Sequence, residues 1–191
     1  MKKLRFFLGK LLIRLHSEQN HKPVPAKCSV IRLTRLPKDF NQKGQILAVQ
    51  LDQVFVLSTD DKKSDPPHLS VWVSCLTTPK QACTFLRDQS FPKVVLQLNV
   101  NEIRDIVGYS DSSNAHSNQL DVIWVHIKNI LGDKTRRDLR PGAAGHSGVV
   151  GLDETNAPIG LSNRQAKNLR KDLRAKLAEL ASKNCEILNE Q

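Results

Sequence analysis

Between residues 28 and 127 the apolar residues fall into short runs separated by polar, turn-rich stretches. Runs of this length, rich in valine, isoleucine and leucine, are typical of β-strands. They predict strands over 29–33, 46–57, 69–75, 93–98 and 120–127, with 54–57 fully buried. Helical signals alternate with these runs, which predicts an α+β (mixed α/β) fold with a four- to six-stranded sheet and packed helices.

Three helix starts are visible in the sequence. Thr78 followed by Pro79 and Gln81 forms a capping box, which predicts a helix running to about residue 87. Asn99 predicts a short helix that Gly108 ends, and Ser162 with Gln165 begins a long C-terminal helix.

At 191 residues the chain is long enough for one domain with a substantial core. We expect a basic amphipathic segment at 1–22, a proline-containing linker at 21–26, a mixed α/β core at 28–160 and a basic C-terminal helix at 162–188. This order predicts a single domain with basic segments at both ends.

The charge of the chain is concentrated at its two ends. Residues 1–38 carry a net charge of +9, residues 39–131 a net charge of −2, and residues 132–191 a net charge of +3. A basic surplus outside a slightly acidic middle favours an anionic partner, either nucleic acid or a membrane surface.

The N-terminal segment has the pattern of an amphipathic basic helix. Its apolar stripe consists of Leu4, Phe7, Leu8, Leu11, Leu12 and Leu15. Such a stripe can lie on a membrane surface, bind an acidic protein partner or dock on the fold itself. Lys10 and Arg14 interrupt the linear apolar stretch that a secretory signal would need, and no signal-cleavage pattern follows, so we expect an intracellular, cytoplasmic protein.

The C-terminal helix and the segment before it carry the cations that we predict to bind nucleic acid. They are Arg136, Arg137, Arg140, Arg164, Lys167, Arg170, Lys171, Arg174 and Lys176. Together they could contact several phosphates without reading sequence, which predicts salt-sensitive, non-catalytic binding. The alternative is a solvated face that maintains solubility.

Residues 132–151 contain five glycines and no convincing helix or strand. Within this segment His146 and Ser147 would place a titratable group and a hydroxyl at the tip of a glycine loop, with arginines nearby to bind a phosphate. The alternative is a flexible connection between the last strand and the last helix.

His68, which precedes the strand 69–75, is the second candidate catalytic residue. An enzyme acting on a nucleotide or RNA phosphate would need His68 and His146 to converge. The histidine before a strand, the hydroxyls of Thr77 and Thr78, and the helix and buried strand that follow loosely resemble the layout of ADP-ribosyltransferase-like folds over residues 66–127. That resemblance implies a catalytic glutamate, yet only Glu102 and Glu154 occur between residues 19 and 178.

The remaining ligand-forming residues are scattered. Cys28, Cys75, Cys83 and Cys185 match neither a zinc pair nor a disulfide framework, and we expect reduced, mostly buried thiols. The histidines and carboxylates show no metal-ligand spacing, so we predict neither a metal nor a cofactor.

Overall fold

The computed structural model describes residues 19–35, 52–86, 92–111, 116–127, 140–153 and 158–189. Its strands are β1 (Ser29–Arg35), β2 (Leu69–Val73), β3 (Lys93–Asn99), β4 (Val107–Tyr109), β5 (Ser117–Gln119), β6 (Asp121–Trp124), β7 (His146–Val150) and β8 (Cys185–Leu188). Its helices are α1 (Thr59–Lys63), α2 (Pro79–Cys83), α3 (Val100–Arg104) and α4 (Asn163–Ser182), with 3₁₀ turns at Asp52–Phe55 and Ala143–Gly145.

Six of these strands form one sheet in the order β6-β7-β2-β1-β3-β8, and every neighbouring pair is antiparallel. Strands β4 and β5 form a separate antiparallel pair. The predicted α+β class and the sheet of up to six strands are therefore confirmed. Because no parallel pair occurs among the described strands, the sheet is built from antiparallel neighbours and not from βαβ units.

The two faces of the sheet carry different side chains. In β2, Leu69, Val71 and Val73 face the main core, whereas Ser70 and Trp72 face the other side. We call the first side the helix face, because α3 and α4 pack on it. We call the second side the histidine face, because the rings of His68 and His146 lie on it.

The main core lies between the helix face and α4. Leu169, Leu173 and Leu177 of α4 are at most 1% exposed and pack against the valines and leucines of the central strands. Helix α4 is thus held by its apolar stripe, as the sequence pattern predicts. Gly108 of β4 lies so close to α4 that a Cβ there would be 2.4 Å from Leu173 Cγ.

The predicted helix caps are present. Thr78 and Ser162 each form a capping box with the glutamine three residues later, and Asn99 accepts a hydrogen bond from the Asn101 amide. Helix α2, however, ends at Cys83 and α3 at Arg104, earlier than predicted. A third capping box, between Ser58 and Asp61, begins α1.

Two sequence-based expectations were wrong. The run 54–57 is not a strand: a 3₁₀ turn spans Asp52–Phe55, and Phe55 and Leu57 are buried against the main core. A short apolar run signals burial, but it does not specify the element that achieves it. The segment 132–151 was expected to lack regular structure, yet His146–Val150 form β7, the neighbour of β2 within the sheet.

The chain before β1 protects the edge of β6. Val24 and His21 donate backbone hydrogen bonds to the carbonyls of Val122 and Trp124, and the Trp124 amide donates to Lys22. This part of the predicted linker therefore covers a strand edge that would otherwise be open to pairing with another chain.

The predicted N-terminal amphipathic helix, with its stripe from Leu4 to Leu15, lies outside the described residues. Within the residues that the structure does describe, no helix has both the length and the apolar character needed to traverse a bilayer.

Candidate functional site

The structure brings the two candidate catalytic histidines together. His68 immediately precedes β2 and His146 begins β7, and the register of these strands pairs Trp72 with His146 and Ser70 with Gly148. The ring centroids of His68 and His146 are 6.0 Å apart, in an edge-to-face arrangement. We call these two residues the histidine pair.

Each histidine of the pair is oriented by a backbone carbonyl. Nδ1 of His68 lies 2.8 Å from the Pro66 oxygen, and Nδ1 of His146 lies 2.9 Å from the Val125 oxygen. A neutral imidazole that donates from Nδ1 keeps a lone pair on Nε2, which is the form that acts as a base.

The two rings differ in their exposure to solvent. His68 is 3% exposed, whereas His146 is only partly buried. Burial lowers the pKa of His68, and the hydrogen bond to Pro66 and the charge of Asp61 only partly oppose that effect. His68 is therefore neutral at pH 7, and His146 is the member of the pair that is open to solvent.

Gly148 makes room for the pair. A Cβ at this position would lie 2.5 Å from both Cγ and Cδ2 of His68, a distance that real Cβ atoms do not adopt. The glycine in the middle of β7 is thus explained by the close approach of His68 to the strand backbone.

A buried carboxylate lies next to the pair. Asp61 Oδ1 accepts a hydrogen bond from Ser70 Oγ at 3.0 Å, and its Oδ2 accepts one from the Ser58 amide at 3.0 Å. Burial alone would raise the pKa of Asp61, but the charge of Arg32 and the hydrogen bonds from Ser58 and Ser70 hold it below its usual range.

Two buried N–H groups near the pair have no hydrogen-bond acceptor within the described part of the chain. They are Nε of Arg32 and Nε1 of Trp72. The Trp72 side chain is 3% exposed, and its ring centroid is 5.5 Å from that of His146. Unsatisfied buried donors are costly, so the Trp72 N–H beside His146 is a group whose hydrogen bonding a ligand could complete.

The turn before β7 is fixed by Thr77. The buried Thr77 hydroxyl donates to the Gly142 carbonyl at 2.7 Å, and a Cβ at Gly145 would overlap with Thr77 Oγ1. This anchor sets the start of β7 and therefore the position of His146. Ser147, which we expected beside His146 at a loop tip, is instead fully buried on the helix face.

Of the three predicted arginines of the segment 132–151, the structure describes Arg140. Arg136 and Arg137 lie outside the described residues. Arg140 is partly buried, and its guanidinium donates to the carbonyl of Thr84 at the end of α2. Arg140 thus ties the glycine segment to α2.

Helix α4 carries the other predicted cations, and they fall into two groups. Arg164, Lys167 and Lys171 are exposed and make no ion pair with a described residue. Arg170, Arg174 and Lys176 are partly buried and take part in internal interactions. Lys176 Nζ donates to the Val107 carbonyl at 2.7 Å and lies 4.8 Å from the centre of the Tyr109 ring.

The single acidic residue in the first four turns of α4, Asp172, is hydrogen-bonded to neighbouring groups. Asp172 Oδ2 accepts hydrogen bonds from the Tyr109 amide at 2.9 Å and from Lys176 Nζ at 2.8 Å. Its carboxylate is therefore paired with Lys176, and its side chain remains about 35% exposed.

An open groove of about 500 Å³ lies between α4 and the end of β4. Its walls are formed by Tyr109, Ser110, Asp111, Asn168, Lys171, Asp172, Ala175 and Lys176. The groove thus combines an aromatic ring, hydrogen-bonding groups and charges of both signs. It lies directly beside the exposed Lys171.

Sequence reasoning missed Asp61, Ser70 and Tyr109 as parts of these sites. Asp61 had a visible signal, since Ser58 and Asp61 have the spacing of a capping box. The others are brought into place by strand register and by contacts across long stretches of chain, which a single sequence does not reveal.

Within the described part of the chain, neither a metal-ligand cluster nor a glutamate lies at the histidine pair. Among the described ranges, no three histidine, cysteine or carboxylate side chains converge to hold a metal ion. Glu102 is exposed on α3, on the opposite side of the sheet from the histidine pair, and Glu154 lies outside the described residues.

Comparisons with known proteins give no relative. No family model matches the chain, and neither the curated proteins nor the solved structures contain a match.

Proposed function

We propose that this protein is a non-catalytic module that binds a polyanion, specifically nucleic acid, through the outward face of α4. The observation that carries the proposal is the set of exposed cations Arg164, Lys167 and Lys171, which make no ion pair with a described residue, while Asp172 on the same helix is paired with Lys176.

The spacing of these cations is electrostatically unfavourable in the free protein. Arg164 and Lys167 are three residues apart and Lys167 and Lys171 four apart, so like charges lie side by side on one stripe. Each such pair costs a helix about 0.2–0.5 kcal/mol. Phosphates bound along the stripe would remove this repulsion.

The helix dipole adds to the same potential. Arg164 lies in the first turn of α4, which contains no acidic residue. Cations are disfavoured there because the N-terminal end of a helix already carries partial positive charge. A face that accumulates positive potential in this way favours an anion more than a solubilising face of mixed charge would.

The groove beside the stripe supports nucleic acid over a simpler polyanion. Tyr109 offers an aromatic ring there, and Asn168 and Asp111 offer groups that can hydrogen-bond to base edges. Because Asp111 and Asp172 repel phosphate, we place the phosphates on the stripe and the bases at the groove.

The test is fluorescence anisotropy with labelled oligo(dT), oligo(U) and a random-sequence DNA duplex at low salt. The variant Lys167→Gln/Lys171→Gln removes two exposed cations of the stripe. We expect it to bind about tenfold more weakly, equivalent to ~1.4 kcal/mol.

The matched control is Lys62→Gln/Lys63→Gln, which removes two exposed cations from α1 instead. It has the same net charge as the stripe variant, so it should keep nearly wild-type affinity. Equal weakening by both variants would show that net charge alone matters and would overturn the proposed surface.

A second candidate function is an enzyme that acts on a nucleotide or RNA phosphate at the histidine pair. It is favoured by the 6.0 Å approach of the two rings and by the unpartnered Nε1 of Trp72 beside them. In this proposal His146 exchanges a proton with the substrate, and His68 stays neutral and orients it.

Incubation with RNA and with nucleoside polyphosphates, followed by chromatography of the products, tests this candidate. Turnover should fall at least about a hundredfold in His146→Gln, in line with loss of a general acid or base. It should persist in His116→Gln, which changes a histidine directly before β5, outside the histidine pair. Absence of any product from the wild-type protein, or equal turnover by both variants, would exclude it.

We place either activity in the cytoplasm. The support is that all four cysteines are unbridged thiols, whereas small exported domains are commonly stapled by disulfides.

A further inference from the structure

Two of the four cysteines lie at the ends of neighbouring strands, Cys28 just before β1 and Cys75 in the turn after β2. The register of β1 and β2 pairs Val30 with Val73 and Ile31 with Trp72. The Ser74 amide and hydroxyl both bond to the Ser29 carbonyl, at 2.9 and 3.1 Å, which extends that register past the end of β2. Cys28 and Cys75 directly adjoin Ser29 and Ser74, and Cys75 lies in the turn that the Leu76 and Thr77 amides close onto the Val73 carbonyl.

A disulfide needs Cα atoms about 4.4–6.8 Å apart. The two hydrogen bonds from Ser74 to the Ser29 carbonyl bring the adjoining cysteines close to each other. The two thiols are near enough to influence each other electrostatically. Burial, the neighbouring Cys75 thiol and a hydrogen bond between the two side chains raise the pKa of Cys28.

The two thiols differ in their exposure to solvent, and this difference sets the order in which they react with an oxidant. Cys75 is exposed, whereas Cys28 is partly buried beside the main core. An oxidant in solution therefore reaches Cys75 first, and Cys28 is positioned to react with the product.

We propose that Cys28 and Cys75 form a reversible disulfide, with a small-molecule disulfide such as oxidised glutathione as the oxidant. The Cys75 thiolate attacks one sulfur of glutathione disulfide and releases one glutathione thiolate. The Cys28 thiolate then attacks the Cys75 sulfur of the mixed disulfide and releases the second glutathione. The protein loses two electrons and two protons, and the glutathione disulfide gains them.

The bond would close a long loop near the candidate site. Cys28 and Cys75 are 47 positions apart in the chain, and Cys75 is followed closely by Thr77, which anchors the turn before β7. The loop between the cysteines contains Arg32, Asp61 and His68. Oxidation therefore constrains the segment that builds the histidine face.

The test uses the full-length protein in buffers of reduced and oxidised glutathione, followed by alkylation, tryptic digestion and mass spectrometry. We expect a linked pair of peptides, 28–32 and 64–80, that disappears on reduction. The oxidised protein should also melt higher by about 4–16 °C, as expected for one loop-closing disulfide in a domain of this size.

Two variants define the mechanism. In Cys28→Ser the resolving thiol is absent, so glutathione should remain attached to Cys75. The double variant Cys83→Ser/Cys185→Ser should form the 28–75 link as the wild-type protein does. Absence of the link in wild-type protein, or persistent glutathione on Cys75 with Cys28 present, would overturn the proposal.

Discussion

The side chain of His68 occupies the space that a Cβ at position 148 would need, since Cγ and Cδ2 of the ring both lie 2.5 Å from that point. The two residues come from β7 and from the chain entering β2, 80 positions apart. This contact couples the position of the histidine pair to the pairing of two neighbouring strands.

Gly148→Ala should therefore destabilise the protein. The new methyl group must displace the buried His68 ring or the strand, an overpacking that costs about 1–3 kcal/mol. Urea denaturation monitored by tryptophan fluorescence measures the loss in the free energy of unfolding.

The control for this prediction is the same substitution in a His68→Ala background. With the ring removed, Gly148→Ala should cost less than about 0.5 kcal/mol, so that the two substitutions are strongly non-additive. Equal costs in the two backgrounds would contradict the packing explanation.

The lowered pKa of His68 predicts how stability depends on pH. The folded protein protonates this ring less readily than the unfolded chain, whose histidines titrate near about 6.5. Above that pH, neutral His68 makes its full contribution to the free energy of unfolding. The contribution is lost as the pH falls below the ordinary histidine pKa, because the unfolded chain binds the proton more readily than the folded protein does.

Urea denaturation between pH 7.5 and pH 5.5, about one unit on either side of the ordinary histidine pKa, tests this expectation. The free energy of unfolding should decline toward the acidic end in the wild-type protein and decline less steeply in His68→Gln. Parallel pH profiles for the two proteins would show that His68 does not carry the effect.

Asp61 should be the carboxylate in α1 that matters most for stability. Asp61→Asn removes the charge that faces Arg32 and weakens the hydrogen bonds from Ser58 and Ser70, so we expect a loss of about 2–4 kcal/mol. Asp60→Asn, at the exposed neighbouring position, should change the free energy of unfolding by less than about 0.5 kcal/mol. Similar losses in the two variants would contradict the role given to Asp61.

Local signals in the sequence predicted much of the fold. The caps at Thr78 and Ser162 and the strands around Val30, Val71 and Leu96 were all placed correctly, because capping and apolar runs are encoded within a few residues. The α+β class followed from their order.

Strand β7 was missed because its sequence does not look like a strand. Gly148 interrupts the apolar pattern, because the ring of His68, a residue distant in the chain, occupies the space that a side chain at position 148 would need. Ser147 is a polar residue on the buried side. For the same reason the sequence identified His68 and His146 but could not show that they meet. Strand register sets that contact, and register depends on the whole sheet.

The proposed function requires that Lys167 and Lys171 of α4 bind the phosphates of nucleic acid. The most direct measurement is the slope of the logarithm of the binding constant for oligo(dT) against the logarithm of salt concentration. Each phosphate contact contributes about 0.7 to this slope for a single strand. Lys167→Gln/Lys171→Gln should therefore reduce the slope by ~1.4 relative to the wild-type protein. Lys62→Gln/Lys63→Gln should leave it unchanged. An unchanged slope in the α4 variant, or no binding by the wild-type protein even at low salt, would contradict the account.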